Sequence, residues 1–93
     1  MLDEWNAIYV KSDGEKVKLT WNELYVLEYM IDHKNRVTTR KELTEAVYGK
    51  DSYYTARRQG IPSYIKRIRA KLKGEIAIIN NPSIGYKIKY IGE

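Results

Sequence analysis

Ser63–Gly74 reads SYIKRIRAKLKG. The stretch holds five basic residues, Lys66, Arg67, Arg69, Lys71 and Lys73, and no acidic one. Ile65, Ile68 and Leu72 recur among them at the spacing of one helix face, and Ile61 extends the stripe by a turn. A helix over about 61–73 is therefore predicted, with Gly74 as its stop. Pro62 suits its first turn, where a missing N–H has no intrahelical partner to lose. At about 100° per residue, Gln59, Ser63, Lys66, Arg67 and Ala70 point away from the apolar stripe, and Arg69 and Lys71 flank that face.

The basicity is confined to one segment. Ala56–Gly74 adds Arg57 and Arg58 to those five cations without an acid, a charge of +7. The whole chain carries +5, which leaves −2 on everything else. A helix face that is merely solvated ordinarily mixes signs. A basic amphipathic helix can also lie on an anionic membrane or in a partner's groove. A chain of 93 residues, however, needs Ile61, Ile65, Ile68 and Leu72 for its own core. This argues against the membrane, and the placement of the charge favours a directed contact with a polyanion. Ser63 and Ala70 let the backbone come close to a flat surface. B-DNA's major groove, roughly 12 Å wide, admits one helix in this way. Lys66 and Arg67 are then placed for base edges, and Arg57, Arg58, Arg69 and Lys71 for phosphates. On this reading, loss of Lys71 weakens binding evenly across sequences and makes the salt slope shallower by about one.

Composition excludes much else. There is no cysteine, hence no disulfide, thiolate metal site or cysteine nucleophile. The single histidine, His33, follows Asp32 at the end of a predicted helix, where the helix dipole favours it. No triad, metal cluster or Gly-rich phosphate loop can be assembled, and Ser12-Asp13-Gly14-Glu15 is a turn rather than a calcium loop. We expect no enzyme and no cofactor. The first twenty residues contain Asp3, Glu4, Asp13 and Glu15, so no secretory signal is expected. No run approaches the about 18 apolar residues of a membrane span. A cytoplasmic, nucleoid-associated protein is the expectation.

The chain reads β-β-α-α-α-β-β as one domain over 1–93. Trp5–Leu19 alternates around Asp13-Gly14, a hairpin within residues 1–19. A three-helix core follows over 20–74. Thr20 with Glu23, and Thr39 with Glu42, are capping boxes that open two helices, the first running to about Asp32 and the second stopped by Gly49. Residues 75–93 form a second hairpin, in which Tyr86, Ile88 and Tyr90 alternate with Lys87 and Lys89. Trp21, Tyr25, Tyr48, Tyr86 and Tyr90 fall at core spacing. Tyr53 and Tyr54 sit in a polar loop, either as a lid over the core or as an exposed contact for a partner.

Four stretches in this order carry a family resemblance: LTWNELYVLEYM, VTTRKELTEAVYG, YIKRIRAKL and IGYKI. Over about Leu19–Ile88 the chain resembles the OmpR/PhoB-type winged helix-turn-helix effector domains of bacterial response regulators, an α+β fold. The resemblance implies that the third helix enters the major groove of double-stranded DNA and that the hairpin wing touches the minor groove or backbone. It also implies that the loop before the third helix can face RNA polymerase, and that two copies act as a tandem homodimer on adjacent half-sites. Tyr64, Lys66, Arg67 and Arg69 fall where the family contacts DNA, Tyr64 and Arg69 at the flanks where they are placed for phosphates, and Arg40 matches a family arginine. The wing reads NNPSIGY, where the family usually has a basic or hydroxyl residue before Gly-x-Gly-Tyr. Asn80 or Asn81 then replaces that contact, with Lys87 as an added phosphate ligand. The rival reading is an interaction module whose basic face binds an acidic protein or RNA without reading a DNA sequence. The chain is either a piece of a receiver-containing regulator or a stand-alone protein.

Overall fold

The computed structural model describes residues 1–50 and 60–91. In chain order the elements are β1 (Leu2–Asp3), β2 (Ile8–Val10), β3 (Lys16–Lys18), α1 (Trp21–Asp32), β4 (Thr38–Thr39), α2 (Arg40–Tyr48), α3 (Ile61–Lys71), β5 (Ile76–Asn81) and β6 (Gly85–Tyr90). Two antiparallel sheets flank the helices, one ordered β1-β2-β3 and the other β4-β6-β5. Among the described residues, three helices with a hairpin on either side match the expectation.

The N-terminal sheet has one strand more than the expected hairpin. Asp3 makes the difference: its carboxylate accepts the backbone N–H of Trp5 (3.1 Å) and Asn6 (3.3 Å) and the Asn6 side-chain amide (2.9 Å). This Asx turn sends the chain back so that Leu2 and Asp3 pair with Tyr9 and Ile8. The β2–β3 turn is the expected one, with Gly14 at φ +90° and its N–H donating to the Lys11 carbonyl at 2.9 Å.

Both capping boxes form. The Thr20 hydroxyl accepts the Glu23 N–H at 3.2 Å while the Glu23 carboxylate accepts the Thr20 N–H at 3.0 Å. Thr39 and Glu42 repeat the exchange at 3.1 and 3.3 Å. Glu42 also joins the first two helices, because its carboxylate takes both terminal nitrogens of Arg36 (3.0 and 2.7 Å) and the Tyr29 hydroxyl of α1 (2.7 Å). These bonds, led by the one from Arg36, hold the Glu42 carboxyl down at about 2. His33 caps the C-terminus of α1, its ring stacked on Tyr29 at 4.2 Å.

Ile61, Ile65, Ile68 and Leu72 are all buried, packed with Leu24, Leu27, Met30, Leu43, Ile78 and Ile88. Each contributes about 1.5–3 kcal/mol on burial, against at most about 1 kcal/mol for a surface ion pair. The stripe, not the charge, seats α3. The aromatic expectation holds only in part. Tyr86 is buried and Tyr90 packs on the core, but Trp21, Tyr25 and Tyr48 are 53%, 42% and 48% exposed. The buried side of α1 is Glu23, Leu24, Val26, Leu27 and Met30, which leaves Trp21 and Tyr25 facing out.

Strand β4, which the sequence reading missed, ties the start of α2 to the wing. Thr38 and Thr39 pair with Tyr86 and Gly85, and the buried Thr38 hydroxyl donates to the Tyr86 carbonyl at 3.0 Å. A Cβ on Gly85 would lie 1.9 Å from the Thr38 carbonyl oxygen, so only glycine fits. The Gly-Tyr pair in IGYKI is a packing requirement.

Two predictions follow from these contacts. Gly85→Ala forces the β4–β6 backbones apart and lowers stability by about 2–3 kcal/mol in urea titration. Glu42 has a folded-state value below its ordinary 4.5, so its stabilisation is full above that pH and is lost as pH falls toward 2. Thermal melts should show Glu42→Gln less stable than wild type at neutral pH, with the gap closing across that acid window.

Candidate nucleic-acid interface

The start of α3 has no side-chain cap. Gly60 is its N-cap at φ −84°, ψ −44°, and Pro62 lies in the first turn. The reason for glycine is space: a Cβ there would lie 2.8 Å from the Tyr64 ring and 3.0 Å from the Tyr48 hydroxyl. Tyr64 in turn is clasped by its hydroxyl, which accepts the Asn22 amide at 2.9 Å and meets the Tyr48 hydroxyl at 2.8 Å. That hydrogen bond raises the Tyr48 hydroxyl above its usual range.

Ser63, Lys66, Arg67 and Ala70 line a shallow open concavity on the outward face of α3, as the helical wheel places them. Arg67 does not simply extend from it. Its Nε turns back to the Ser63 carbonyl (3.4 Å) and lies 3.7 Å from Glu23 Oε2, and the guanidinium carbon sits 5.4 Å from the Tyr64 ring centre. Arg69 Nη2 donates to the Ile78 carbonyl at 2.7 Å and so joins α3 to β5. Lys71 donates to Glu23 Oε1 at 2.6 Å. The expectation of Lys71 as a phosphate ligand is thereby revised: its ammonium is the counter-ion of a carboxylate inside the fold.

Glu23 was read from the sequence only as half of a capping box. It is 0% exposed, and its Oε1 accepts both Thr20 N–H and Lys71, while Oε2 has no hydrogen-bond partner. The signal that could have found it is the interval 23, 27, 30, which puts it on the same face as Leu27 and Met30.

On the wing, Asn80 and Lys87 are exposed and Asn81 is half-buried, its carbonyl accepting the Ile84 N–H at 3.1 Å across the turn. That turn, with Ser83 at φ +65°, faces the start of α2 across a cleft lined by Thr39, Arg40, Lys41, Ser83 and Ile84. Two cations thus stand beside the wing tip. Tyr53, Tyr54, Arg57 and Arg58 lie outside the described residues. Among the described residues no group of three or more His, Asp or Glu side chains could hold a metal, and no helix is long and apolar enough to cross a membrane.

The helices of the described residues, the last with its cationic face outward and a β-hairpin beside it, define a winged helix-turn-helix domain. Residues 14–88 match the family model described as transcriptional regulatory protein, C terminal. The chain belongs to this family, the OmpR/PhoB-type DNA-binding domains of transcription regulators, which are not enzymes. It is 30% identical over 84 residues to the sensory transduction protein RegX3 of Mycolicibacterium smegmatis, covering 86% of this chain and 36% of that protein. The RegX3 of Mycobacterium tuberculosis is 29% identical with the same coverage. The chain therefore spans about a third of the length of the curated relatives it matches. Among solved structures, the DNA-binding domain of Bacillus subtilis CssR superposes with a TM-score of 0.80 at 22% identity, covering 96% of this chain and 98% of that one. The DNA-binding domain of the response regulator AdeR in complex with an intercistronic region gives 0.75 at 23%, covering 96% and 92%. That of CpxR from E. coli gives 0.72 at 24%, covering 94% and 86%. At these identities the structures establish the fold.

The revised place of Lys71 carries its own prediction. Lys71→Met removes the charge-assisted bond to a buried carboxylate and destabilises the fold by about 2 kcal/mol in chemical unfolding.

Proposed function

We propose that the domain binds duplex DNA sequence-specifically, with α3 in the major groove and the wing at the neighbouring minor groove or backbone. The observation that carries this is the outward face of α3, where Ser63 and Ala70 lie low between Lys66 and Arg67 with no acid among them. Small residues bring the helix backbone against base edges while the cations reach guanine or phosphate. Lys66 and Arg67 are the base-edge candidates. Tyr64 is a flank contact whose hydroxyl is already committed to Asn22 and Tyr48, so it offers its ring edge. Arg57, Arg58, Arg69 and Lys87 are phosphate ligands, joined by Arg40 and Lys41 beside the wing tip, with Asn80 and Asn81 as the wing's polar contacts. The AdeR DNA-binding domain, which shares the fold, is in complex with an intercistronic region, and this supports DNA as the ligand here.

One domain of this size buries only about 600–1,000 Å² on DNA, so two copies on tandem half-sites supply the specificity. The segment with Tyr53 and Tyr54 is the proposed contact for RNA polymerase, and the protein works at the cytoplasmic nucleoid. Selection from random duplexes with the purified chain should enrich a motif repeated at about one helical turn. If no sequence is enriched, the reading of base edges fails, and an acidic protein or RNA becomes the partner of α3. Against the enriched site, Arg67→Ala should cost about 1–3 kcal/mol and relax preference at one position. A uniform loss over all sequences makes Arg67 a phosphate ligand instead.

A further inference from the structure

Resting on that reading of α3, we propose that Glu23, buried and out of reach of any ligand, is a positioning residue for sequence readout through Arg67. A buried carboxylate oxygen without a hydrogen bond is costly to keep, and Glu23 Oε2 is such an oxygen. Arg67 Nε stands 3.7 Å from it with opposite charge, on a side chain that is 53% exposed. The guanidinium is thus held by one edge. Nε faces inward, toward Glu23 and the Ser63 carbonyl, and the Tyr64 ring stands beside the guanidinium carbon. That leaves the two terminal nitrogens as the paired donors that a guanine O6/N7 edge or a phosphate accepts.

An arginine on a solvated helix face ordinarily loses several rotamers when it docks, and a preorganised fork loses fewer. Two restraints remove that freedom here. Glu23 attracts Nε from below, and Tyr64, itself fixed by Asn22, Tyr48 and the space left by Gly60, limits the sideways swing. Glu23 itself is set by its capping bond to Thr20 and by Lys71. The direction of the fork is therefore determined at the start of α1, by a residue that never meets DNA.

The test uses the enriched duplex and a scrambled one, titrated at several salt concentrations with wild type, Glu23→Gln, Arg67→Ala and the double variant. Glutamine keeps the shape and the capping bond while removing the charge. Glu23→Gln should reduce discrimination between the two duplexes about tenfold. It should also steepen the salt dependence by about one, because a cation once neutralised internally now meets phosphate. In the Arg67→Ala background the same change should leave discrimination where Arg67→Ala put it. Should discrimination fall equally in both backgrounds, Glu23 acts on the scaffold and the proposal is overturned. Unchanged discrimination in Glu23→Gln overturns it too, with DNA reading intact. If wild type itself fails to discriminate, the reading of α3 and this proposal fall together. A measurement on wild type stands apart from variant folding: the Arg67 Nε–H NMR signal of the free protein should exchange with water more slowly than that of exposed Arg40. Equal exchange rates would refute the restraint.

Discussion

A carboxylate with no exposed surface has to be met by hydrogen bonds and cations, or its desolvation costs several kcal/mol. Glu23 is in that position, and its partners come from two places: Thr20 at the start of α1, and Lys71 and Arg67 on the last turns of α3. The apolar stripe of α3 would tolerate small rotations and slides against Leu24, Leu27 and Met30. The ion pair does not, because a shift of one residue would carry Lys71 to the wrong side of the helix. Buried pairs are weak evidence for net stability. What this one supplies is orientation, and the outward face of α3 inherits it.

The wing is fixed by a second set of contacts of a different kind. Strand β4 is only two residues long, yet it brings the Thr38 backbone so close to Gly85 that a side chain there is excluded. Arg69 adds a bond from α3 to the Ile78 carbonyl of β5, and the hairpin tip at Ser12 donates two bonds to Glu75 just ahead of β5. Helix and wing are therefore held at a set spacing from several sides.

Long cations do not obey the helical wheel. Counting charge along α3 assigns every lysine and arginine to the outside, since the wheel places Cα atoms and ignores four or five bonds of side chain. Lys71 spans that length to reach a carboxylate in the core, and Arg69 curls to a carbonyl on the sheet. Among the described residues of α3, the cations that line its outward concavity are correspondingly fewer than the charge of the segment suggests: Lys66 and Arg67.

Much of the fold was legible in the residues. Both capping boxes, the Gly14 turn, the stop at Gly49 and the stripe of Ile61, Ile65, Ile68 and Leu72 are local signals, each settled by neighbours within a turn or two or by periodicity. The third strand of the first sheet was missed because it rests on an Asx turn with no glycine or proline to mark it, and Trp21 and Tyr25 misled because a four-residue interval fixes the period but not the phase. Of the candidate site, the outward position of Ser63, Lys66, Arg67 and Ala70 was likewise readable from period alone. The partners of Arg67, Arg69 and Lys71 were not. The sequence by itself determined which elements form and which side of each is apolar, because those choices are local. Which cations stay available, and which way Arg67 faces, was decided only by the tertiary structure, because it depends on a buried carboxylate 48 residues from Lys71 in the chain.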